Sequence, residues 1–200
     1  MRWRRKGKLL VTLNTLEDPR FGGVILSKKG SGITTAKDVK GKRVSTSSKE
    51  SAGGYHFQLY HLYKNGVREA DLAEVMELHK QDNSLLVLAR GLIDVAFLRT
   101  GVYEQMVKEG SAKESDYVIV DSRQNPEFNQ VHSTDLYPEW YVTVTPKVNP
   151  ELSKAMKAAL LAITAESEVA THARIKGFVE PLDITPVREM LKQLKIAPYN

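Results

Sequence analysis

The chain contains no cysteine. This absence excludes disulfide bridges, thiolate nucleophiles and cysteine-ligated metal sites, and it is compatible with any redox compartment. The five histidines do not pair with each other or with carboxylates at a spacing diagnostic of a metal site, so we expect no metal and no cofactor. The sequence also lacks a nucleophile elbow, a Walker loop and a dinucleotide fingerprint, and we expect no enzyme.

Long apolar runs and a strong excess of one charge are missing as well. No stretch approaches the length of a membrane span. The apolar residues 9–13 are too short for a signal-peptide core, and no small-residue cleavage site follows them, so we expect no export signal in this chain. The net charge of +5 is milder than the clustered basicity of nucleic-acid-binding proteins, and we expect no nucleic-acid partner. The apolar share of 42% is sufficient for a folded core.

The sequence does contain a repeated alternation of strands, polar loops and helices. Residues 42–121 show this pattern three times and then end on a strand, with strands predicted at 43–46, 74–78, 95–98 and 117–120. Such alternation implies a mostly parallel sheet with helices on its faces. The predicted fold class is therefore α/β.

Three polar loops follow these strands, at 47–54, 79–83 and 99–101, and each is predicted to end at a helix N-terminus. In an open α/β sheet the ligand crevice lies outside the carboxyl ends of the strands, so the three loops are expected to converge on one edge. Unpaired backbone N–H groups and helix dipoles suit a small anion or carboxylate there. Arg99 adds a fixed fork of donors at the same place.

The candidate ligand-binding residues come from these loops and from aromatic residues that would form the walls of a cleft. They are Ser51, Gly53, Gly54, Tyr55, Gln81, Asp82, Arg99, Thr100 and Tyr137. Hydroxyl, amide, carboxylate and guanidinium groups beside aromatic walls are the usual mixture of a small-molecule cleft. Each residue also has a structural alternative: the serines as turn residues, Asp82 as a helix cap, and Arg99 in a surface ion pair. Trp140 is either a cleft wall or core, and His61 is expected to face solvent.

Several longer stretches resemble known proteins. Residues 38–44 and 51–55 resemble the phosphonate-binding type of periplasmic solute-binding protein. Residues 94–105, 132–140 and 181–187 are similar to the periplasmic sensor domains of tetrathionate-sensor-type histidine kinases. The resemblance runs over most of the chain, from about residue 22 to residue 199.

The resemblance implies a two-lobed clamshell of the type II periplasmic-binding-protein class, with a mixed sheet and a ligand in the cleft. Residues 37–137 would form one complete α/β lobe, and residues 8–28 and 139–200 the remainder of the other, whose N-terminal part would be missing. The phosphonate binders hold their ligand with a Ser-Thr-Ser run at the start of a helix. The matching positions here are Ser51, Ala52 and Gly53. Two hydroxyls are absent, although backbone N–H groups could hold another oxyanion.

The function implied is a non-catalytic sensory domain of a two-component system that binds a small anionic ligand in the periplasm or another extracytoplasmic compartment and acts on a kinase partner. The alternative is the solute-binding component of an ABC transporter for phosphonate or a related anion. Two other hypotheses stay open: a small enzyme with Ser51 as nucleophile and His79 as base, and a remnant without a ligand. Because an incomplete lobe leaves apolar surface uncovered, we also expect self-association or a remodelled lobe.

Overall fold

A computed structural model describes residues 7–15 and 18–199. Within them the chain divides into two units. The large unit comprises Gly22–Leu136, and the small unit comprises the described residues up to Phe21 and from Tyr137 onward. The large unit contains a five-stranded sheet, and the small unit contains a three-stranded sheet and a two-stranded sheet. None of the helices in the described residues is long and apolar enough to cross a membrane.

The strands are β1 (Lys8–Thr15), β2 (Arg20–Phe21), β3 (Gly23–Lys28), β4 (Arg43–Thr46), β5 (Glu74–Glu77), β6 (Val95–Arg99), β7 (Tyr117–Ile119), β8 (Tyr137–Pro138), β9 (Tyr141–Val144) and β10 (Ile175–Val179). The four strands predicted at 43–46, 74–78, 95–98 and 117–120 are present at these positions, within about one residue, as β4 to β7. The α-helices are α1 (Phe57–Lys64), α2 (Gln81–Ala89), α3 (Val102–Lys108), α4 (Pro150–Leu161), α5 (Glu168–Ala173) and α6 (Thr185–Gln193). A wide helical turn, Ala52–His56, leads directly into α1.

The sheet of the large unit has the strand order β5-β4-β6-β3-β7. Strand β4 is parallel to β5 and β6, whereas β3 runs antiparallel to both β6 and β7. The sheet is therefore mixed, and the strands predicted at residues 42–121 share one direction. The structure divides the chain at Phe21 and Gly22, so Gly23–Lys28, which the predicted domains assign to the other lobe, lies inside this sheet. A strand that pairs on both edges and is buried from Gly23 to Ser27 belongs with the sheet that surrounds it.

Strand β6 is central to the core of the large unit. Ala96 and Leu98 pack in one cluster with Leu85 and Leu88 of helix α2. Phe97 points the other way, and its ring centroid lies 6.2 Å from that of Tyr55. Because successive strand residues face opposite sides of a sheet, both faces of β6 are covered.

In the small unit, β1 lies between β10 and β9 and is antiparallel to both. The buried cluster there comprises Leu10, Val11 and Val144, with partly buried neighbours from β9, α4 and β10. Helix α4 begins at an Asn149 cap, whose side-chain oxygen accepts hydrogen bonds from the first-turn backbone, and continues with Pro150, which has no N–H to lose at a first helical position.

Two local predictions differ from the structure. Helix α2 begins at Gln81, so Gln81 and Asp82 lie in its first turn and not in a loop. Polar side chains are compatible with a first helical turn, since its backbone N–H groups have no partners within the helix. His61 does not face solvent, because it is only 3% exposed.

Candidate functional site

The candidate site lies at the carboxyl ends of β4, β5 and β6 in the large unit. Backbone hydrogen bonds join the segments that follow β4 and β5: the N–H of Leu78 donates to the carbonyl of Thr46, and the N–H of His79 donates to that of Ser47, each at 2.9 Å. These two loops therefore meet at one edge of the sheet, where the parallel strand directions were expected to bring them.

The turn at residues 51–56 is the first part of this edge. The hydroxyl of Ser51 accepts a hydrogen bond from the N–H of Gly54 at 3.1 Å, so Ser51 caps the helical turn. A Cβ atom on Gly54 would lie 2.9 Å from the hydroxyl oxygens of both Ser47 and Ser51, which is too close. Glycine at this position lets the backbone approach the two serines. The turn also directs the N-terminus of a helix that continues through α1 toward this edge.

The loop before the turn is held by charged and polar groups. The N–H of Lys49 donates to the Glu77 carboxylate at 2.6 Å, and this hydrogen bond lowers the pKa of Glu77. The carbonyl of Lys49 lies 2.7 Å from Nε2 of His56. A carbonyl only accepts, so Nε2 carries the proton. Burial lowers the pKa of His56, which favours the neutral ring.

Tyr55 belongs to the core more than to an open cleft wall. Its side chain is 3% exposed and lies beside Phe97. Burial raises the pKa of the Tyr55 phenol, and Glu69 raises it further. The buried ring therefore packs beneath the turn against β6, and its phenol stays protonated at any ordinary pH.

Gln81 and Thr100 hold backbone at the end of β6. The side-chain oxygen of Gln81 accepts a hydrogen bond from the N–H of Arg99 at 2.5 Å. The N–H of Thr100 donates to the carbonyl of Gly22 at 3.1 Å, and the Thr100 hydroxyl accepts from the Gly22 N–H at 3.2 Å. Both residues thus connect β6 to neighbouring elements, Gln81 to helix α2 and Thr100 to the start of β3.

The structure brings six of the candidates into the segments at this edge, namely Ser51, Gly53, Gly54, Gln81, Arg99 and Thr100. Asp82 is exposed on the first turn of α2. Tyr137 lies in the small unit, where it is buried and pairs with Phe21 across β8 and β2. Trp140 is not core, since 70% of its surface is exposed. The part that each candidate plays in ligand binding stays a prediction.

The entry to α3 has a conformation that glycine suits. Gly101 has φ of +86°, and a Cβ atom there would lie 2.8 Å from Nε2 of Gln130. The first turn of α3 is also tied to the segment after β7, because Glu104 accepts a hydrogen bond from the N–H of Val131 at 2.7 Å. The Arg99 end of β6 is therefore followed by a fixed turn and not by a free loop.

Sequence reasoning missed two buried polar residues of α1. The amide of Gln58 is fully buried and donates to backbone carbonyls at the site. Nε2 of His61 lies 2.7 Å from the Asp121 carboxylate, and burial lowers the pKa of His61. The burial of His61 could have been predicted from helical spacing. His61 lies four residues after the apolar Phe57, which is buried, and residues four apart share a helix face.

Among the described residues no three His, Asp or Glu side chains lie together as metal ligands. The rival catalytic pair also gains no support: in this part of the chain no hydrogen bond joins the Ser51 hydroxyl to His79. Ser51 uses its hydroxyl oxygen to cap the turn, and the backbone N–H of His79 donates to the carbonyl of Ser47.

Comparisons with known proteins agree on one family. Residues 1–184 match the family described as ABC transporter, phosphonate, periplasmic substrate-binding protein. Over 181 residues, or 90% of its length, the chain is 31% identical to a tetrathionate sensor histidine kinase of Salmonella typhimurium strain LT2. The chain spans only 29% of the length of that curated relative.

Solved structures show the same fold. The Xanthomonas citri protein XAC2383 bound to ATP has a TM-score of 0.72 and 19% identity, over 94% of this chain and 69% of that one. PhnD1 of Prochlorococcus marinus in complex with methylphosphonate has a TM-score of 0.65 and 16% identity, over 94% of this chain and 71% of that one. The fold is therefore that of the type II periplasmic binding proteins, and the chain belongs to the phosphonate-binding family of periplasmic substrate-binding proteins.

Proposed function

We propose that the chain is the extracytoplasmic sensory domain of a two-component signalling system and binds a small oxyanion without transforming it. The observation that carries this proposal is the 31% identity, over nine-tenths of the chain, to a tetrathionate sensor histidine kinase. A kinase partner or kinase region would then receive the signal. The match to a family of periplasmic substrate-binding proteins supports a ligand-binding role and an extracytoplasmic location.

The proposed ligand contacts are the backbone N–H of Gly53 in the turn, the proton of the Ser51 hydroxyl and the guanidinium of Arg99. The N–H of Gly54 donates to Ser51, so Gly54 contributes by its close backbone approach. Helix N-termini attract anions, because their N–H groups are unpaired and the helix dipole is positive there. The guanidinium presents paired donors that match two oxygens of one ligand. Gln81 supports the site by holding the backbone of Arg99.

The predicted roles of Asp82, Thr100, Tyr55 and Tyr137 are weaker in this proposal. Thr100 uses its hydroxyl oxygen on the Gly22 N–H, although its own proton remains available for a ligand. Tyr55 supports the turn by packing. Asp82 keeps the role predicted for it, that of a polar contact. Tyr137 belongs to the small unit and is not among the proposed ligand contacts.

The second candidate function is the solute-binding component of an ABC transporter for a phosphonate or a related anion. The family description and the structural similarity to a methylphosphonate-bound PhnD1 favour it. The two functions share a fold, so they differ in the partner. Ligand-dependent phosphorylation of a kinase, measured in membranes that carry the full-length protein, supports the sensor. Ligand uptake that depends on the chain supports the transporter.

The test of binding is a thermal-shift and calorimetric titration with tetrathionate, methylphosphonate, sulfate and acetate. A ligand present at 100 times its Kd stabilises the folded state by about 2.7 kcal/mol, which raises Tm by several degrees. We expect at least one oxyanion to do so, and Arg99→Gln to abolish the shift while Arg90→Gln, at the exposed residue that follows α2, retains it. No shift with any of the four anions would contradict the proposal.

A further inference from the structure

Gln58 is a fully buried polar side chain in the first turn of α1. Its neighbours along the helix, Phe57, Leu59 and Leu62, are buried apolar residues. An apolar side chain would be the ordinary occupant of such a position, since burial of an amide costs free energy unless its hydrogen bonds are replaced. The reason for an amide must therefore lie in the bonds that it makes.

Both bonds of the Gln58 nitrogen go to backbone at the candidate site. Nε2 donates to the carbonyl of Gly53 at 2.8 Å and to the carbonyl of Leu98 at 2.6 Å. Gly53 lies in the helical turn, and Leu98 is the residue before Arg99 on β6. A single amide group thus joins the turn to the strand end that carries the guanidinium.

The orientation of this amide is determined by its partners. Two carbonyls can only accept, so the nitrogen must face them. The side-chain oxygen is then buried without a hydrogen-bond partner among the described residues. Such an acceptor lowers stability, and a leucine would avoid that loss. The two donated bonds therefore explain this residue better than packing does.

The backbone of β3 leaves space for Gln58 and confines it. A Cβ atom on Gly23 would lie 2.5 Å from both Cδ and Nε2 of Gln58. Gly23 is itself held in place, because its N–H donates to the Thr134 hydroxyl at 2.8 Å and its carbonyl accepts from the N–H of Ser133 at 2.9 Å. Only a glycine in β3 admits the amide at this position.

We propose that Gln58 is a positioning residue: it fixes the helical turn Ala52–His56 against the end of β6 and thereby sets the distance between the turn N–H groups and Arg99. This inference rests on the proposed function for its effect on ligand affinity. Its effect on the turn does not need a ligand, so the two can be tested separately.

The ligand-free test is hydrogen exchange measured by mass spectrometry on the complete chain. Gln58→Met keeps an unbranched side chain of similar length and removes the donor. We expect amides of the turn to exchange about tenfold faster or more, with no change at β7, because local opening no longer breaks two hydrogen bonds. The matched control is Gln105→Met, on an exposed helix glutamine that bonds Glu109. Unchanged exchange in the turn of Gln58→Met would overturn the proposal.

A pair of substitutions distinguishes a positioning role of Gln58 from a packing role. The same pair tests the proposal if Gln58→Met does not fold. Gly23→Ala alone should destabilise the protein, since its methyl group collides with Gln58. In the background of Gln58→Ala the same methyl group enters vacated space and should restore part of the lost Tm. We expect fast exchange in the turn to persist in the double variant. Restoration of both stability and slow exchange would show that Gln58 only fills space and would overturn the proposal.

The ligand test uses calorimetry with methylphosphonate and tetrathionate. If the wild-type protein binds either anion, Gln58→Met should bind it about tenfold more weakly, whereas Gln105→Met should bind it normally. Equal affinity of Gln58→Met and wild type would overturn the effect on binding. If the wild type binds neither anion, the proposed function fails for these ligands, and the exchange experiment still decides whether Gln58 fixes the turn.

Discussion

The two units of the chain bury their apolar residues to different degrees. In the large unit, residues 95–98 of β6 are completely buried, because side chains cover both faces of the sheet. In the small unit the buried cluster comprises Leu10, Val11 and Val144, and helix α4 buries Ser153 but none of its large apolar side chains. The comparison teaches that a strand is buried along its length where side chains pack on both faces of its sheet, as they do on β6.

Large apolar side chains are exposed in both units, and among the described residues the small unit has more of them. There Trp140 is 70% exposed, Val169 62% and Leu152 55%, whereas in the large unit Leu92 is 52% and Leu86 45% exposed. The large unit also buries polar groups around the candidate site, among them Gln58, Thr100 and the hydroxyls that bond the start of β3. The large unit is thus stabilised around the candidate site, and the small unit presents surface on which another molecule could pack.

The largest effect is expected from a substitution in the core of the large unit. Phe97→Ala removes a fully buried ring in the middle of β6 and should lower the free energy of unfolding by about 3–5 kcal/mol. Hydrogen exchange of amides in β4 and β6 measures this loss. The matched substitution in the small unit is Phe178→Ala, at a half-buried position of β10, and it should cost less. Equal costs would contradict the difference in packing.

Acid should weaken the large unit first. Burial lowers the pKa of His61 below its ordinary value of 6.5, so the unfolded chain binds more protons than the folded one as the pH falls through that value. Asp121 opposes this shift, and Arg123 and Lys64 add to it. Stability should therefore fall as the pH drops below about 6.5, by at most ~1.4 kcal/mol per pH unit for one histidine.

One variant isolates the contribution of His61 to this pH dependence. His61→Gln can still donate to Asp121 but does not titrate. It should lower the number of protons taken up on unfolding by up to about one, and the slope of the unfolding free energy against pH should decrease accordingly. His56 has a lowered pKa as well, so part of the slope should remain. An unaltered slope in His61→Gln would contradict the prediction.

Self-association is predicted to use the apolar surface of the small unit. Leu152 and Met156 are both exposed and lie four residues apart on α4, hence on one helix face. Replacing both by serine should weaken self-association by about tenfold or more. Light scattering across a concentration series measures it, with exposed Leu86 and Leu92 of the large unit replaced by serine as the control. A monomeric mass for the wild type at every concentration would contradict the prediction.

The smallest effect on stability is expected from the loss of a serine helix cap, and each unit has one. Ser51 and Ser167 each accept a hydrogen bond from the N–H three residues ahead, at 3.1 and 3.2 Å. Alanine at either position should cost about 0.5–2 kcal/mol of stability, measured by thermal unfolding. Ser51→Ala should also weaken oxyanion binding, whereas Ser167→Ala in the small unit should not. If the two variants bind an oxyanion equally well, Ser51 acts as a cap alone.

Much of the secondary structure of the large unit could be predicted, because it follows from patterns of apolar and polar residues that are close together in the sequence. The strands β4, β5 and β6 and the convergence of the loops that follow them could be predicted from apolar patterns separated by polar segments. The domain boundary could not, since β3 is apolar in either unit and only its pairing with β6 and β7 places it. The start of α2 was placed too late because its first turn is polar, like a loop.

The sequence by itself determined the α/β class, the order of the elements from β4 to β7 and the family. Helices and strands leave periodic patterns in neighbouring residues, and the family motifs are continuous stretches of sequence. The tertiary structure decided what the polar residues do. Gln58 bonds a carbonyl 40 positions away, His61 a carboxylate 60 away, and Thr100 the backbone of Gly22 78 away. No local pattern encodes such pairs, since burial and hydrogen bonding between distant residues exist only after the chain has folded.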